Sequence, residues 1–409
     1  MPSRLWLPFT QMAEFDAAER TFVSATGTHL TDSRGRTVFD AISSVWVTIH
    51  GHSHPAIVEA IARQAARLDH ATALGASNPV AEELAARLAD ASGLDYAFFS
   101  SDGASALEAA LKMALQYWYR TGERKRTKFA HLAASYHGDT AGAMSVSDIA
   151  VFKQHFSPIC FESIEANDLR EVLARDDLAA VVVEPLVRAA AGIRPVAPEW
   201  YDALRDARAP LLIVDEIATG FGRTGTMFAF EQLGVAPDLV CVGKGLTGGA
   251  LALSATLATA RVYDAFLGRA SDVRQFFHGH SYAANPIACA AALASLDLFE
   301  REETLAHARG LARALEDLLR PLADAPGVRE VRRVGLMCGI ELVPPEDLEW
   351  PSAFGRDVAN AMYARGHFTR AIGNTIQLVP PLSSSAAELE SFVDAFRDAL
   401  AAAPVPCGP

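Results

Sequence analysis

Cysteine is scarce in this chain: five among 409 residues, Cys160, Cys241, Cys289, Cys338 and Cys407. The number is odd, the spacing is wide and no C-x-x-C occurs. This excludes a disulfide frame or a thiolate zinc site as the organising chemistry, and implies free thiols in a reducing compartment. Long apolar runs are missing too. No uncharged stretch reaches the roughly 18 residues of a membrane span. Residues 1–11 carry Arg4 and two prolines without an apolar core, so neither a signal peptide nor a membrane partner is expected and the cytoplasm is the default location. Positive charge is short: 36 Lys and Arg stand against 49 Asp and Glu, a formal net charge of -13. An acidic chain gains nothing from a phosphate backbone, which argues against nucleic acid as a partner, although one pocket can still be basic.

What is present is the composition of a globular enzyme, 50% hydrophobic and 21% charged. The length exceeds that of one ordinary core, so two domains are expected. Short β-branched runs at 97–100, 128–133, 180–184, 211–215, 239–242 and 253–256 alternate with helical patterns at 79–91, 105–121 and 199–207. Several of the strands are apolar throughout, as strands covered on both faces should be. The alternation predicts an α/β fold with a mostly parallel sheet and helices on both sides. The ends read differently. Strands are expected at 27–32 and 37–41, and a helix opening at Asn285-Pro286 should run to Arg301. Strands at 328–334, 339–343 and 376–379 and helices at 352–365 and 386–402 follow. This suggests a large domain over 51–300 and a smaller α+β domain built from 1–50 and 301–409. The charged stretch 301–320 reads as a solvated helix face.

Two segments carry chemistry. In Leu211-Leu-Ile-Val-Asp-Glu216 a buried strand ends in two carboxylates, at the sheet edge where ligands of open α/β sheets gather. A helix cap or a salt bridge is the plainer role for Asp215. The Gly-rich 217–225 that follows, with Arg223, favours a binding site. In the second segment Lys244 follows an apolar strand, between Gly243 and Gly245. Burial lowers the pKa of such an amine and makes it nucleophilic, as carbonyl chemistry requires. The alternative is a lysine that snorkels to solvent. A nucleotide-binding P-loop is excluded, because Gly245 stands where Ser or Thr is required and position 238 is Asp.

These two segments, "LLIVDEIATGFGRTG" and "CVGKGLTGG", resemble the class III aminotransferases, which are dependent on pyridoxal 5'-phosphate (PLP) and have fold type I. The resemblance extends through "LWLPFTQM", "DAISSVWVTIHGHSHP", "SSDGASALEAALKMALQYW", "YHGDTAGAMSV", "VVVEPLV", "FFHGHSYAANPIACAAALASL" and "TRAIGNTIQLVPP". Within the class, the first two of these, "KMALQYW" and "NPIACAAALASL" are most similar to the diaminopelargonate aminotransferases of biotin synthesis. Those enzymes move an amino group, commonly from S-adenosylmethionine, onto 8-amino-7-oxononanoate.

The resemblance implies a role for each matching residue. Lys244 would form a Schiff base with the cofactor and then shuttle the proton, and Asp215 would pair with the pyridine nitrogen and so tune the electron sink. Tyr136, followed by His137, would stack on the ring, with Ile217 on the opposite face; a core aromatic is the alternative for Tyr136. Gly103 and Ala104, at a helix start, would receive the phosphate on their amides. Here the family often has Ser-Gly-Ser, so Asp102 must turn away to cap the helix. Glu184 would lie near the substrate, where an arginine could pair with it. Ser281 matches a residue that reaches the phosphate of a partner subunit, which implies a homodimer with shared sites. Arg370 would receive the substrate carboxylate through its two-pronged guanidinium; a surface arginine is the alternative. Trp46 and Phe9 would line the substrate side.

Several positions depart from the family pattern: Phe9 and Gln377 stand for common tyrosines, Val45 for a tryptophan, Ala371 for a proline and Arg188 for a glutamine. They leave room for a related ω-amine transaminase, for racemisation, aminomutation or decarboxylation on the same fold, or for a binding protein without activity. The alternating His50, His52 and His54, and His278 with His280, could share a strand face as metal ligands, but no acidic or cysteine ligand accompanies them in sequence and no metal is expected.

Overall fold

The computed structural model describes residues 4–15, 20–205, 210–344 and 353–403. Cys407, and the expected helix residues Ala207 and Ser352, lie outside them. Seven strands form the central sheet in the order Tyr96–Ser100, Ser254–Ala258, Leu239–Val242, Leu211–Asp215, Leu178–Val183, Lys128–His131, Ile164–Glu165. The five strands from Leu239–Val242 to Ile164–Glu165 run parallel to one another, and Ser254–Ala258 is antiparallel to both its neighbours. This is the mostly parallel α/β sheet that the alternation implied.

Every residue of Leu178–Val183, Leu211–Asp215 and Leu239–Val242 is buried. Alternate side chains serve opposite faces, as the pleat requires. Leu211, Ile213, Leu239 and Cys241 join one core cluster, while Leu212, Val214, Val240 and Val242 join the other. The Gly103–Thr121 helix lies on the first face with Ala106, Ala109, Ala110 and Ala114 buried. Those small residues allow close approach, and Trp118 Nε1 donates to the Ala179 carbonyl at 2.7 Å. On the other face Pro286–Arg301 packs against Pro55–Arg67 and Pro79–Ser92.

Sequence from both ends builds the rest. Phe22–Thr26, His29–Asp32 and Thr37–Asp40 form a sheet that His367–Phe368 completes, parallel to Thr37–Asp40. Val328–Val334, Met337–Leu342, Thr375–Leu378 and Ala371–Ile372 form a second, antiparallel sheet. The Thr304–Leu319 helix buries Thr304, Ala308, Leu311, Leu315 and Leu319, so its charged residues form the solvated face expected for 301–320.

Three local readings need correction. The segment read as a helix at 199–207 opens as a 3-10 turn, Pro198–Tyr201, before a single α-turn, Asp202–Arg205. The Pro55–Arg67 helix was not expected; Pro55 in its first turn and the His54 cap are its start signal. His50, His52 and His54 do not share a strand face but diverge, to Ser295 Oγ at 3.2 Å, Asp40 Oδ2 at 2.8 Å and Glu302 Oε1 at 3.1 Å.

The Ala386–Ala402 helix ties the two ends of the chain together. Ser385 and Glu388 form a reciprocal capping box, and Glu388 also accepts the Thr28 hydroxyl. Replacing Ser385 with alanine should cost about 1 kcal/mol, read as a lower urea midpoint with an unchanged m-value.

Candidate active site

The Leu239–Val242 strand ends at Gly243, and Lys244 opens a 3-10 turn with φ of 41°. A lysine in the left-handed region is uncommon and persists only where its surroundings hold it. Here the backbone is crowded. A Cβ on Gly245 would meet Ile49 Cδ1 at 2.9 Å, and one on Gly249 would meet the main chain of Val47 at 2.8 Å. The half-buried Lys244 amine lies 4.9 Å from the centre of the Trp46 ring. Burial lowers its pKa, Asp215 and Glu184 oppose that shift, and the positive charge of Arg223 adds to it.

Asp215, 5% exposed, ends the neighbouring strand. Its Oδ1 accepts the Ile217 amide at 3.0 Å and its Oδ2 faces His137 Nδ1 at 2.7 Å. The His137 backbone N–H donates to Ser147 Oγ at 2.9 Å, which anchors its main chain, while its Nε2 is buried without a partner among the described residues. Next in the chain, Tyr136 donates its hydroxyl to Asp139 at 2.9 Å, and burial, chiefly, raises its pKa. Tyr136 meets Phe152 edge-on at 6.0 Å, and Phe152 meets Phe9 at 5.2 Å, an aromatic row leading outward. Among the described residues Glu184 pairs with no arginine, contrary to expectation. Its two oxygens accept the amides of Tyr136 at 3.1 Å and Ala189 at 3.0 Å, and burial pushes its pKa up to about 7. It thus joins the tyrosine loop to the hairpin at 187–195.

Asp102 caps the Gly103–Thr121 helix, accepting from Ser105 N and Ser105 Oγ, each at 2.9 Å, so its carboxylate is committed to the helix. Around that helix start the packing is close, and glycine is what permits it. A Cβ on Gly103 would lie 2.8 Å from Ile217 Cδ1, and one on Gly138 would lie 2.5 Å from Ala104 Cβ. A helix N-terminus suits an anion, and the buried His137 Nε2, on the ring that faces Asp215, is an unsatisfied polar atom among the described residues. The residues present therefore fit a flat, phosphorylated, ring-nitrogen cofactor. They would hold it through Gly103 and Ala104 at the phosphate, Ile217 and Tyr136 at the ring faces, Asp215 at the ring nitrogen and Lys244 at the aldehyde. Ser281 stands exposed on a surface segment with Phe277, 70% exposed, and Tyr282, 66% exposed.

On the substrate side the chain makes a turn that the sequence did not announce. Ser43, Ser44, Val45 and Trp46 all have positive φ, 48°, 49°, 66° and 70°. Left-handed backbone costs L-residues roughly 1–2 kcal/mol each. The turn is fastened by Ser43 Oγ to the Val379 carbonyl at 2.6 Å, Ser44 Oγ to Asp40 at 2.8 Å and Trp46 Nε1 to Gln377 Oε1 at 3.0 Å. Arg223, 1% exposed, donates to the carbonyls of Thr48 and Pro380, and so binds the end of this turn to the end of the Thr375–Leu378 strand. Burial lowers its pKa to about 9. The sequence places Arg223 in a Gly-rich binding segment but carries no signal that it is buried. Arg370 is exposed, no carboxylate pairs with it among the described residues, and partial desolvation lowers its pKa. Arg188 donates to the Ala133 carbonyl at 3.0 Å.

The sequence from 13 to 400 matches the family model for class III aminotransferases. An adenosylmethionine-8-amino-7-oxononanoate aminotransferase from Nitratidesulfovibrio vulgaris is 42% identical over 98% of this chain and 80% of its own length. The crystal structure of the enzyme so named from Methanocaldococcus jannaschii superposes with a TM-score of 0.93 at 37% identity, over 98% of both chains. An amine transaminase from an uncultivated Pseudomonas species, solved with PLP bound, superposes with a TM-score of 0.92 at 31% identity, over 98% of this chain and 99% of that one.

Two outcomes follow from this geometry. Gly138, at φ +126°, has no room for a methyl group, so Gly138→Ala should destabilise the fold by about 1–3 kcal/mol and lower the thermal midpoint. Glu216, buried with its oxygens on Thr219 Oγ1 at 2.6 Å and Phe230 N at 2.7 Å, has its pKa pushed up to about 7, mainly by burial. A carboxyl whose folded pKa is raised stabilises the fold below the unfolded value, about 4.3, and loses that contribution as pH rises through 7. The stability of the wild type relative to Glu216→Gln should therefore fall between pH 4.5 and 7 and level off above, measured by urea unfolding at each pH.

Proposed function

The chain belongs to the class III aminotransferases, and we propose that it transfers an amino group from S-adenosylmethionine or lysine to 8-amino-7-oxononanoate, forming 7,8-diaminononanoate for biotin synthesis. One arrangement carries this reading: a lysine amine made less basic by burial, under an indole wall, within the field of a carboxylate that His137 holds in place. PLP, when bound, supplies the aldehyde that carries the amino group and the ring that takes up the electrons of the broken C–H bond.

The protein supplies the rest. Lys244, favoured as the neutral amine, holds and moves the proton at Nζ. Asp215 is held by the Ile217 amide and His137, in position to hold a proton on the ring nitrogen. Trp46, Tyr136 and Phe9 shape an apolar passage that limits water, and Arg370 receives a carboxylate at its mouth. The exposed Phe277 and Tyr282 beside Ser281 support a homodimer in which this segment reaches the partner's phosphate site. The thiols of Cys160, Cys241, Cys289 and Cys338, all unpaired, support a reducing, cytoplasmic setting.

A second reading, an ω-amine transaminase, is favoured by Val45, Phe9 and Gln377 on the substrate side and by the likeness to the Pseudomonas amine transaminase. The PLP-loaded protein should convert 8-amino-7-oxononanoate to the diamine, seen by mass spectrometry, with one of the two donors. Lys244→Ala should lower the rate by roughly 10²–10⁴-fold or more. No diamine from either donor, with turnover of simple amines, would select the second reading.

A further inference from the structure

Gln377 lies at the centre of the substrate side. Its side-chain oxygen accepts the buried Trp46 indole N–H at 3.0 Å. Its backbone N–H donates to the Arg370 carbonyl at 3.1 Å, and its backbone carbonyl accepts Thr369 Oγ1 at 2.6 Å. Both Gln377 and Trp46 are buried, at 5% and 6% exposure. One residue therefore indexes two features to each other: the ring over the Lys244 amine, and the arginine at the mouth. A buried indole N–H needs an acceptor, and without one the strained Ser43–Trp46 turn loses a fastening that fixes where the ring lies. A substrate with its reacting carbon at Lys244 and its carboxylate at Arg370 must span the gap those two features define.

We propose that Gln377 is a specificity-determining positioning residue, which sets the chain length of carboxylate that the site accepts by holding Trp46 in register with Arg370. This rests on the proposed function, in which Arg370 receives the carboxylate.

The test uses the PLP-loaded protein and straight-chain monocarboxylates of increasing length, which have no amine to react. Dissociation constants are measured by calorimetry for wild type, Gln377→Met, Gln377→Glu, Trp46→Phe and the Gln377→Met/Trp46→Phe pair, with thermal melts confirming that each folds. Wild type should prefer one length. Gln377→Met, which lacks a good acceptor, should weaken binding at that length by about ten-fold, the loss of one buried hydrogen bond, and should flatten the preference. Gln377→Glu, which keeps an acceptor, should restore the length ranking, and Met should add nothing once Trp46 is Phe. A wild type without length preference, a Met variant that keeps the ranking, or fully additive effects of Met and Phe would each overturn the proposal. The two readings fail separately. Length discrimination without diamine formation would sink the proposed acceptor alone, and diamine formation with an unchanged ranking in Gln377→Met would sink this inference alone.

Discussion

Keeping one amine away from water, yet beside a carboxylate, is the constraint to which the rest of this molecule answers. Lys244 follows a strand whose four residues are all buried, with only Gly243 between, and the cost of desolvating its charged form is what makes the free amine available. Asp215 opposes that effect by its charge, yet no hydrogen bond joins it to the lysine among the described residues. It is instead committed on both oxygens, to the Ile217 amide and to His137. Arg223 adds to the effect of burial from the far side, a buried cation held by two carbonyl groups rather than by an acid.

Such an arrangement needs backbone to come close to backbone, and two solutions appear. Where space is the limit, glycine is used: Gly103 against Ile217, Gly138 against Ala104, Gly245 against Ile49. Where direction is the limit, ordinary residues are forced into left-handed conformation and tied down, as in Ser43–Trp46 and at Lys244 itself. The ties are short-range on one side and reach the C-terminal part of the chain on the other, through Val379, Gln377 and Pro380. The walls of the site thus depend on residues more than three hundred positions apart.

How much of this could be read in advance varied with the kind of signal. The strands at 211–215, 239–242 and 328–334 and the helices at 286–301 and 386–402 match their observed limits, because an apolar period ends at a cap, proline or glycine. The sheet edge that gathers Asp215 and Lys244 was legible for the same reason. The Ser43–Trp46 turn was not: it contains no glycine or asparagine, and its positive-φ backbone is fastened in part by hydrogen bonds to Val379 and Gln377, far along the chain. Nor does an alternating histidine pattern reveal that His50, His52 and His54 part company, since their partners lie as far along as Ser295 and Glu302. Glu184 misled in a related way. A buried carboxylate suggests an ion pair, but two backbone amides satisfied it instead.

The pairing of His367–Phe368 with Thr37–Asp40 has a consequence for biogenesis. At a ribosomal pace of about 5–20 residues per second, the N-terminal strands emerge roughly 15–65 seconds before the segment that completes their sheet. For that interval Thr37–Asp40 presents an unpaired edge, open to any extended segment nearby. The chain therefore has to be finished before its first fifty residues can settle, and a message truncated upstream of codon 367 would yield a product whose amino terminus has nowhere to fold.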